Sequence, residues 1–327
     1  MHFQSLPQEI ILHILRDVGA AHFQCNVAQL CVCKSWYPAA QCVMVEELHL
    51  SEKNLPYFLA QMLEQKYLWR LIETNCRSVK LRIRGPQEKS ILKNRSPEFE
   101  WNARISPCLT YLATRLPRFT RLEHLTIEAT APDPVPRGFQ SYLRNQQIAN
   151  FLSPRYGSRL KSLNLDLCHT LKREAVSNVC GNHLCAFVSK FLLTLKHVRI
   201  RMDAVCAEAL EVGDDEQIPN LESVIFNMYI PDSDTKPGYP VDGRALVCQT
   251  EEEYPLKCPL RRMMRAAKRL SEKNTTLKMA RIVTSFYPEP RPVAIDCISG
   301  RKMILKDRND WTGDGPPFHG FVCGDSD

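Results

Sequence analysis

Fourteen cysteines and nine histidines are spread through this chain of 327 residues, and their densest grouping is Cys180-Gly-Asn-His183-Leu-Cys185, with Cys168 and His169 just upstream. Thiolates and imidazoles in that number are what a zinc ion takes. No C-x-x-C pair accompanies them, and packed thiols are the competing reading of the same residues. Cys31 and Cys33 lie two apart, so on a helix they point in different directions. Catalytic spacing is missing: no G-x-S-x-G elbow, no G-x-x-x-x-G-K phosphate loop and no H-E-x-x-H helix occurs. Thirteen dispersed glycines do not form a nucleotide cradle. No cofactor is expected. The remaining chemistry is charge: Arg261, Arg262, Arg265, Lys268 and Arg269 lie on one side of a helix opposite Leu260, Met263, Met264, Ala267 and Leu270. Such a face reads as solvated, as a nucleic-acid contact, or as an Arg-rich site for an acidic or phosphorylated segment.

Composition bounds the elements that must position these residues. Hydrophobic content of 44% and charged content of 24% describe an ordinary globular chain. No run of eighteen apolar residues occurs and MHFQSLPQE lacks the pattern of a secretory signal, so scattered cysteines read as reduced, buried thiols of a cytoplasmic or nuclear protein. The net charge of +7 is uneven: Arg16 and Lys34 against Glu9, Asp17, Glu46 and Glu47 leave the first fifty residues acidic.

The N-terminus holds two helical signatures. In LPQEIILHILRDV, Ile10, Ile11, Ile14, Leu15 and Val18 recur at helical spacing, Pro7 suits a first turn, and Ser5 with Gln8 forms a capping-box pattern. After Gly19 to Gln29, where Asn26 is positioned to cap a second helix, LCVCKSWYPAA places Trp36 and Tyr37 behind a short apolar stretch. Beyond it one phrase recurs, an apolar residue at the first, fourth and sixth positions. Its first anchors are Val45, Cys76, Leu122, Leu160, Leu195, Leu221 and Leu277. Each phrase predicts a short strand with alternate side chains in a shared core. The fullest is Leu160-Lys-Ser-Leu163-Asn-Leu165-Asp-Leu167-Cys168, with helical return segments expected over 173–179 and 184–195. The anchors lie 26 to 56 residues apart, against about 20–29 in regular arrays, so long inserts are expected over 84–104, 130–138 and 231–259. Near the C-terminus, 293–299 and 302–306 flank Gly300-Arg301 as a hairpin, followed by a tail ordered around Trp311.

The opening LP-x-E-I helix and the VCKSWY stretch, at this distance, resemble the F-box, and the phrases resemble cysteine-containing leucine-rich repeats, the combination of a fungal-type F-box protein. The resemblance implies an α/β chain. A three-helix F-box over 1–45 would precede an irregular leucine-rich-repeat solenoid of strand-plus-helix units over 46–290, with a hairpin and tail over 291–327. It further implies a non-catalytic substrate receptor of a Skp–cullin–F-box ubiquitin ligase. Leu6, Pro7, Ile10, Ile14 and Leu15, with Leu30, Val32, Cys33, Lys34 and Trp36, would bind the Skp-type adaptor and through it a cullin. Ile14 and Trp36 are equally suited to holding the helices together. A protein target would meet the outward strand positions Lys80, Thr126, Asn164, Arg199 and Ile225. No membrane partner is expected. Two alternatives are an F-box scaffold or regulator outside ubiquitin transfer, and a nucleic-acid-associated protein using the basic helix 260–270.

Overall fold

The computed structural model describes residues 6–25, 28, 33–34, 36–86, 97–130, 142–153, 159–167, 170–171, 184–202, 205–213, 215–228, 259–285, 291–307 and 311–318. Its first elements are three helices, α1 (Gln8–Val18), α2 (Ala20–Cys25) and α3 (Trp36–Met44). Ile11 and Leu15, four apart, bury against Phe23, Ala39, Ala40 and Val43, with Leu6, Leu12 and Trp36 packed around them. The start of α1 differs from the expected capping box. Pro7 itself occupies the cap position, its carbonyl accepting the Ile10 and Ile11 N–H groups at 3.1 and 3.2 Å; Ser5 lies outside the described residues, as does Asn26. Gly19, at φ +88°, ends the helix and donates its N–H to the Leu15 carbonyl.

Among the described residues the rest is mixed α/β, built on a nine-stranded sheet whose spatial order follows the chain. All seven repeated phrases are strands: β1 (Glu47–Ser51), β2 (Ser78–Arg84), β3 (His124–Thr130), β4 (Ser162–Asp166), β5 (His197–Met202), β6 (Ser223–Met228) and β7 (Met279–Ser285). Neighbours among them pair in parallel, which requires a crossover after each strand. The crossovers are helical: α4 (Leu55–Glu64) and α5 (Lys66–Asn75), α6 (Pro97–Arg115), α7 (Asn145–Phe151), α8 (Leu184–Leu192), a 3-10 turn at Ala207–Leu210, and α9 (Pro259–Lys273). Their apolar residues join the inward strand residues in one continuous core.

Register follows from the phrase. One inward row runs from Leu48 through Leu125 and Val198 to Ala280, and the next from Leu50 through Ile127 and Ile200 to Ile282. A repeated backbone contact sets each entry. The Glu46 carbonyl accepts the N–H groups of Arg77 and Ser78, the Arg77 carbonyl those of Glu123 and His124, and so on to Glu222, which accepts those of Lys278 and Met279. The phrase can therefore tolerate irregular spacing, because it fixes the strand while the crossover absorbs the extra length.

The expected insert at 84–104 is shortened, since α6 begins at Pro97 and buries Trp101 and Ile105. Residues 131–138, 173–179 and 231–258 lie outside the described residues. The closing hairpin, β8 (Pro292–Asp296) and β9 (Lys302–Ile304), extends the same sheet, with β8 antiparallel to β7. Gly300 sits in its turn at φ +73°.

Candidate interaction surfaces

Helix α1 divides its apolar residues between two faces. Ile11 and Leu15 are 6% and 0% exposed, whereas Ile10, Ile14 and Val18 are 46%, 37% and 44% exposed. The second set, spaced by four, forms one stripe along the helix. Tyr37 on α3 is also exposed, and its hydroxyl accepts a hydrogen bond from Gln41 Nε2 at 2.7 Å. The unit carrying this stripe is fastened to the sheet's first edge. Arg16 grips the Glu46 carboxylate through Nε and a terminal nitrogen, at 2.9 and 2.7 Å. Gln24 Nε2 donates to the Met44 and Glu47 carbonyls.

The residues expected to meet an adaptor are therefore of two kinds. Pro7, Ile10, Ile14 and Lys34 are exposed. Leu15 is not available, because it is wholly buried at the centre of the three-helix cluster. Leu6, Cys33 and Trp36 are half-buried, and Leu6 and Trp36 pack against that cluster, so Trp36 holds the helices while Ile14 does not. Leu30 and Val32 lie outside the described residues.

A second surface is the outward side of the sheet. Lys80, Thr126, Asn164, Arg199 and Ile225 fall on a single register row, between His49 and Arg281. At its β1–β4 end the row is polar and half-buried or exposed. Glu128 receives Lys80 Nζ at 2.6 Å and Arg82 Nε at 2.8 Å. Burial alone would raise the Glu128 pKa, but these hydrogen bonds and their charges outweigh it and hold the carboxyl below its usual range. Asp166 pairs with Arg201 through two bonds of 2.7 and 2.5 Å.

At the other end the row is covered. The C-terminal segment lays Trp311, 3% exposed, over Ile225, Val283 and Met303. The Arg199 and Arg201 guanidinium carbons lie 4.6 and 5.3 Å from its ring centroid. Burial lowers the Arg199 pKa. Arg281 donates to the Thr312 and Gly313 carbonyls at 2.8 and 3.1 Å and pairs with Asp314. Ile225 is consequently not target-facing: it is 1% exposed beneath an aromatic lid that the periodicity of its own strand could not announce. The one signal was the lone tryptophan in a polar, Gly- and Pro-rich tail.

Of the zinc candidates, Cys168, His169, Cys180 and His183 lie outside the described residues. Cys185 is buried on α8, with its sulfur accepting the Cys206 N–H at 3.4 Å. Among the described residues no three His, Cys, Asp or Glu side chains are grouped as metal ligands. Burial pushes the Cys76 and Cys297 thiols up to about 12. No helix among the described residues is long and apolar enough to cross a membrane. No family model, curated protein or solved structure matches the chain.

Proposed function

We propose that this chain is a substrate-recognition subunit of a Skp–cullin–F-box ubiquitin ligase, with α1–α3 as the F-box and the sheet with its crossovers as an irregular leucine-rich-repeat solenoid. The observation that carries the reading is the Ile10–Ile14–Val18 stripe, left exposed on a helix whose other apolar face is already satisfied. Among the described residues this three-helix unit buries six in its cluster, a small core for a unit of its length. Docking the stripe against an adaptor's helices removes apolar surface from water within a standard interface of about 1,200–2,000 Å². Pro7 and Lys34, exposed on the same unit, are further contacts by resemblance.

The chain then acts by proximity. It performs no bond chemistry of its own and holds a target protein where other subunits transfer ubiquitin to it. The open β1–β4 part of the sheet face, with Lys80, Thr126 and Asn164, is the surface for that target, and the compartment is cytoplasmic or nuclear. Co-expression with a Skp-type adaptor and a cullin, followed by size-exclusion chromatography, tests the reading. A ternary complex is expected, and Ile14→Asp is expected to release the chain from it without unfolding it. Elution apart from the adaptor would exclude the proposal, and retention of adaptor with no target turnover would leave only a scaffold.

A further inference from the structure

The outward row of the sheet does not end at β4. Arg199, Ile225 and Arg281 stand in the same register row as Lys80, Thr126 and Asn164, and the chain's own segment 311–318 closes this end of it. The sheet separates the cluster beneath that segment from the main core. Ile225, Val283, Ala294, Met303 and Leu305 gather on the outer side, whereas Phe226, Ile282 and Ile295 point into the core on the other. Trp311 is what the segment adds to the outer cluster. Phe318 packs against the main core, and it does so half-buried. Lifting the segment therefore uncovers an outer pocket and leaves the strands paired and the crossover helices in place, a local opening of the low-stability kind.

The contacts are those of a bound peptide. The segment lies against β9 as an added strand, with the Ile304 N–H donating to the Pro316 carbonyl at 2.9 Å and the Phe318 N–H to the Lys302 carbonyl at 3.0 Å. Two of its side chains are read. The Trp311 ring fills the pocket with the Arg199 and Arg201 guanidinium groups stacked on it. The Asp314 carboxylate meets Arg281, which is 5% exposed, while remaining 65% exposed itself. Between them Arg281 takes the Thr312 and Gly313 carbonyls, contacts that do not depend on the side chains at those positions. Among the described residues, the Nε atoms of Arg199 and Arg281 are buried without an acceptor. The segment thus leaves donors that a better-fitting peptide can use.

We propose that the outer face of β5–β9 is a peptide-binding site occupied in cis by residues 311–318. Its partner is an extended segment carrying an aromatic side chain and, three residues on, a carboxylate. Main-chain pairing with β9 supplies affinity, and the pocket with Arg281 supplies the choice of sequence. Tethering holds the cis segment at a local concentration on the order of millimolar, so the site is closed to weak competitors and opens to a segment that fits better. The site lies apart from the α1 stripe, so it neither needs the ubiquitin-ligase reading nor falls with it.

The test uses the full chain without adaptor and a fluorescein-labelled peptide copying residues 311–318, read by fluorescence anisotropy. Trp311→Ala in the chain should raise its affinity for this peptide at least about tenfold over wild type, because the tethered competitor has lost its aromatic anchor. The peptide carrying Trp311→Ala or Asp314→Asn should bind that chain at least about tenfold more weakly. A hydrogen-exchange arm uses wild type alone, and so decides the matter even where the variant does not fold. Saturating peptide should speed exchange of the Phe318 amide while β2–β5 stay protected. Equal affinity of wild type and variant, binding that ignores the peptide's tryptophan and aspartate, or no binding with unchanged Phe318 exchange would overturn the proposal and leave the segment a structural clamp.

Discussion

Glu128 shows how a single outward position on the sheet is tuned. Its carboxyl pKa is held below the ordinary 4.5 by Lys80 and Arg82 despite the opposing effect of burial. A depressed folded pKa contributes stability that is full above the unfolded value and is lost as pH falls through the folded one. Urea midpoints of wild type and Glu128→Gln should therefore differ at pH 7 and converge toward pH 3; a constant gap would assign the effect to packing instead. At the same scale, Leu15 and Ile14 separate roles that adjacent letters could not. Leu15→Ala should cost about 2–5 kcal/mol of stability by leaving a cavity. Ile14→Ala, on the exposed face, should cost far less, and equal losses in chemical denaturation would contradict the assigned faces. Helical periodicity made α1 visible, yet it could not choose between Ile10–Ile14 and Ile11–Leu15 as the buried pair. That choice depends on where α3 packs.

Among the elements, the seven parallel strands were legible because each is specified locally by three apolar residues in a short phrase. The crossovers were legible only where an amphipathic pattern was strong, as in α9 and α8. Helices α4 and α5 escaped notice, and α6 was partly hidden in a stretch read as polar, because Trp101 and Ile105 declare themselves only against the sheet they cover. The C-terminal segment was the least legible element. Its hold on the sheet combines Trp311, the Arg281 contacts and backbone pairing with β9, where the Ile304 N–H donates to the Pro316 carbonyl and the Phe318 N–H to the Lys302 carbonyl, with a close approach at Gly315, where a Cβ would stand 1.6 Å from the Ile304 carbonyl oxygen. Trp311→Ala should expose Ile225 and Val283 and destabilise the fold by about 3–5 kcal/mol. Differential scanning calorimetry and hydrogen exchange over β6–β9 would register that loss, and unchanged protection there would show the segment to be dispensable.

For the whole molecule, two surfaces lie on separate packing units: an apolar stripe on the N-terminal helices, which pack around their own small cluster, and a polar face over β1–β4, which is part of the main core. The covered β5–β7 face leaves β1–β4 open to the proposed target, whereas the strand pattern alone spread the candidate positions over every repeat. The proposed partner class rests on the short N-terminal motif and the exposed stripe, since a docking helix would present its partner with surface residues that its own fold does not need. The account stands most directly on a calorimetric titration of the purified chain with a Skp-type adaptor. It predicts saturable binding with a negative heat-capacity change, the mark of apolar burial, and its loss in Ile10→Asp with Ile14→Asp while the thermal melt stays in place. Absence of binding by the wild type, or affinity unchanged in that variant, would contradict it.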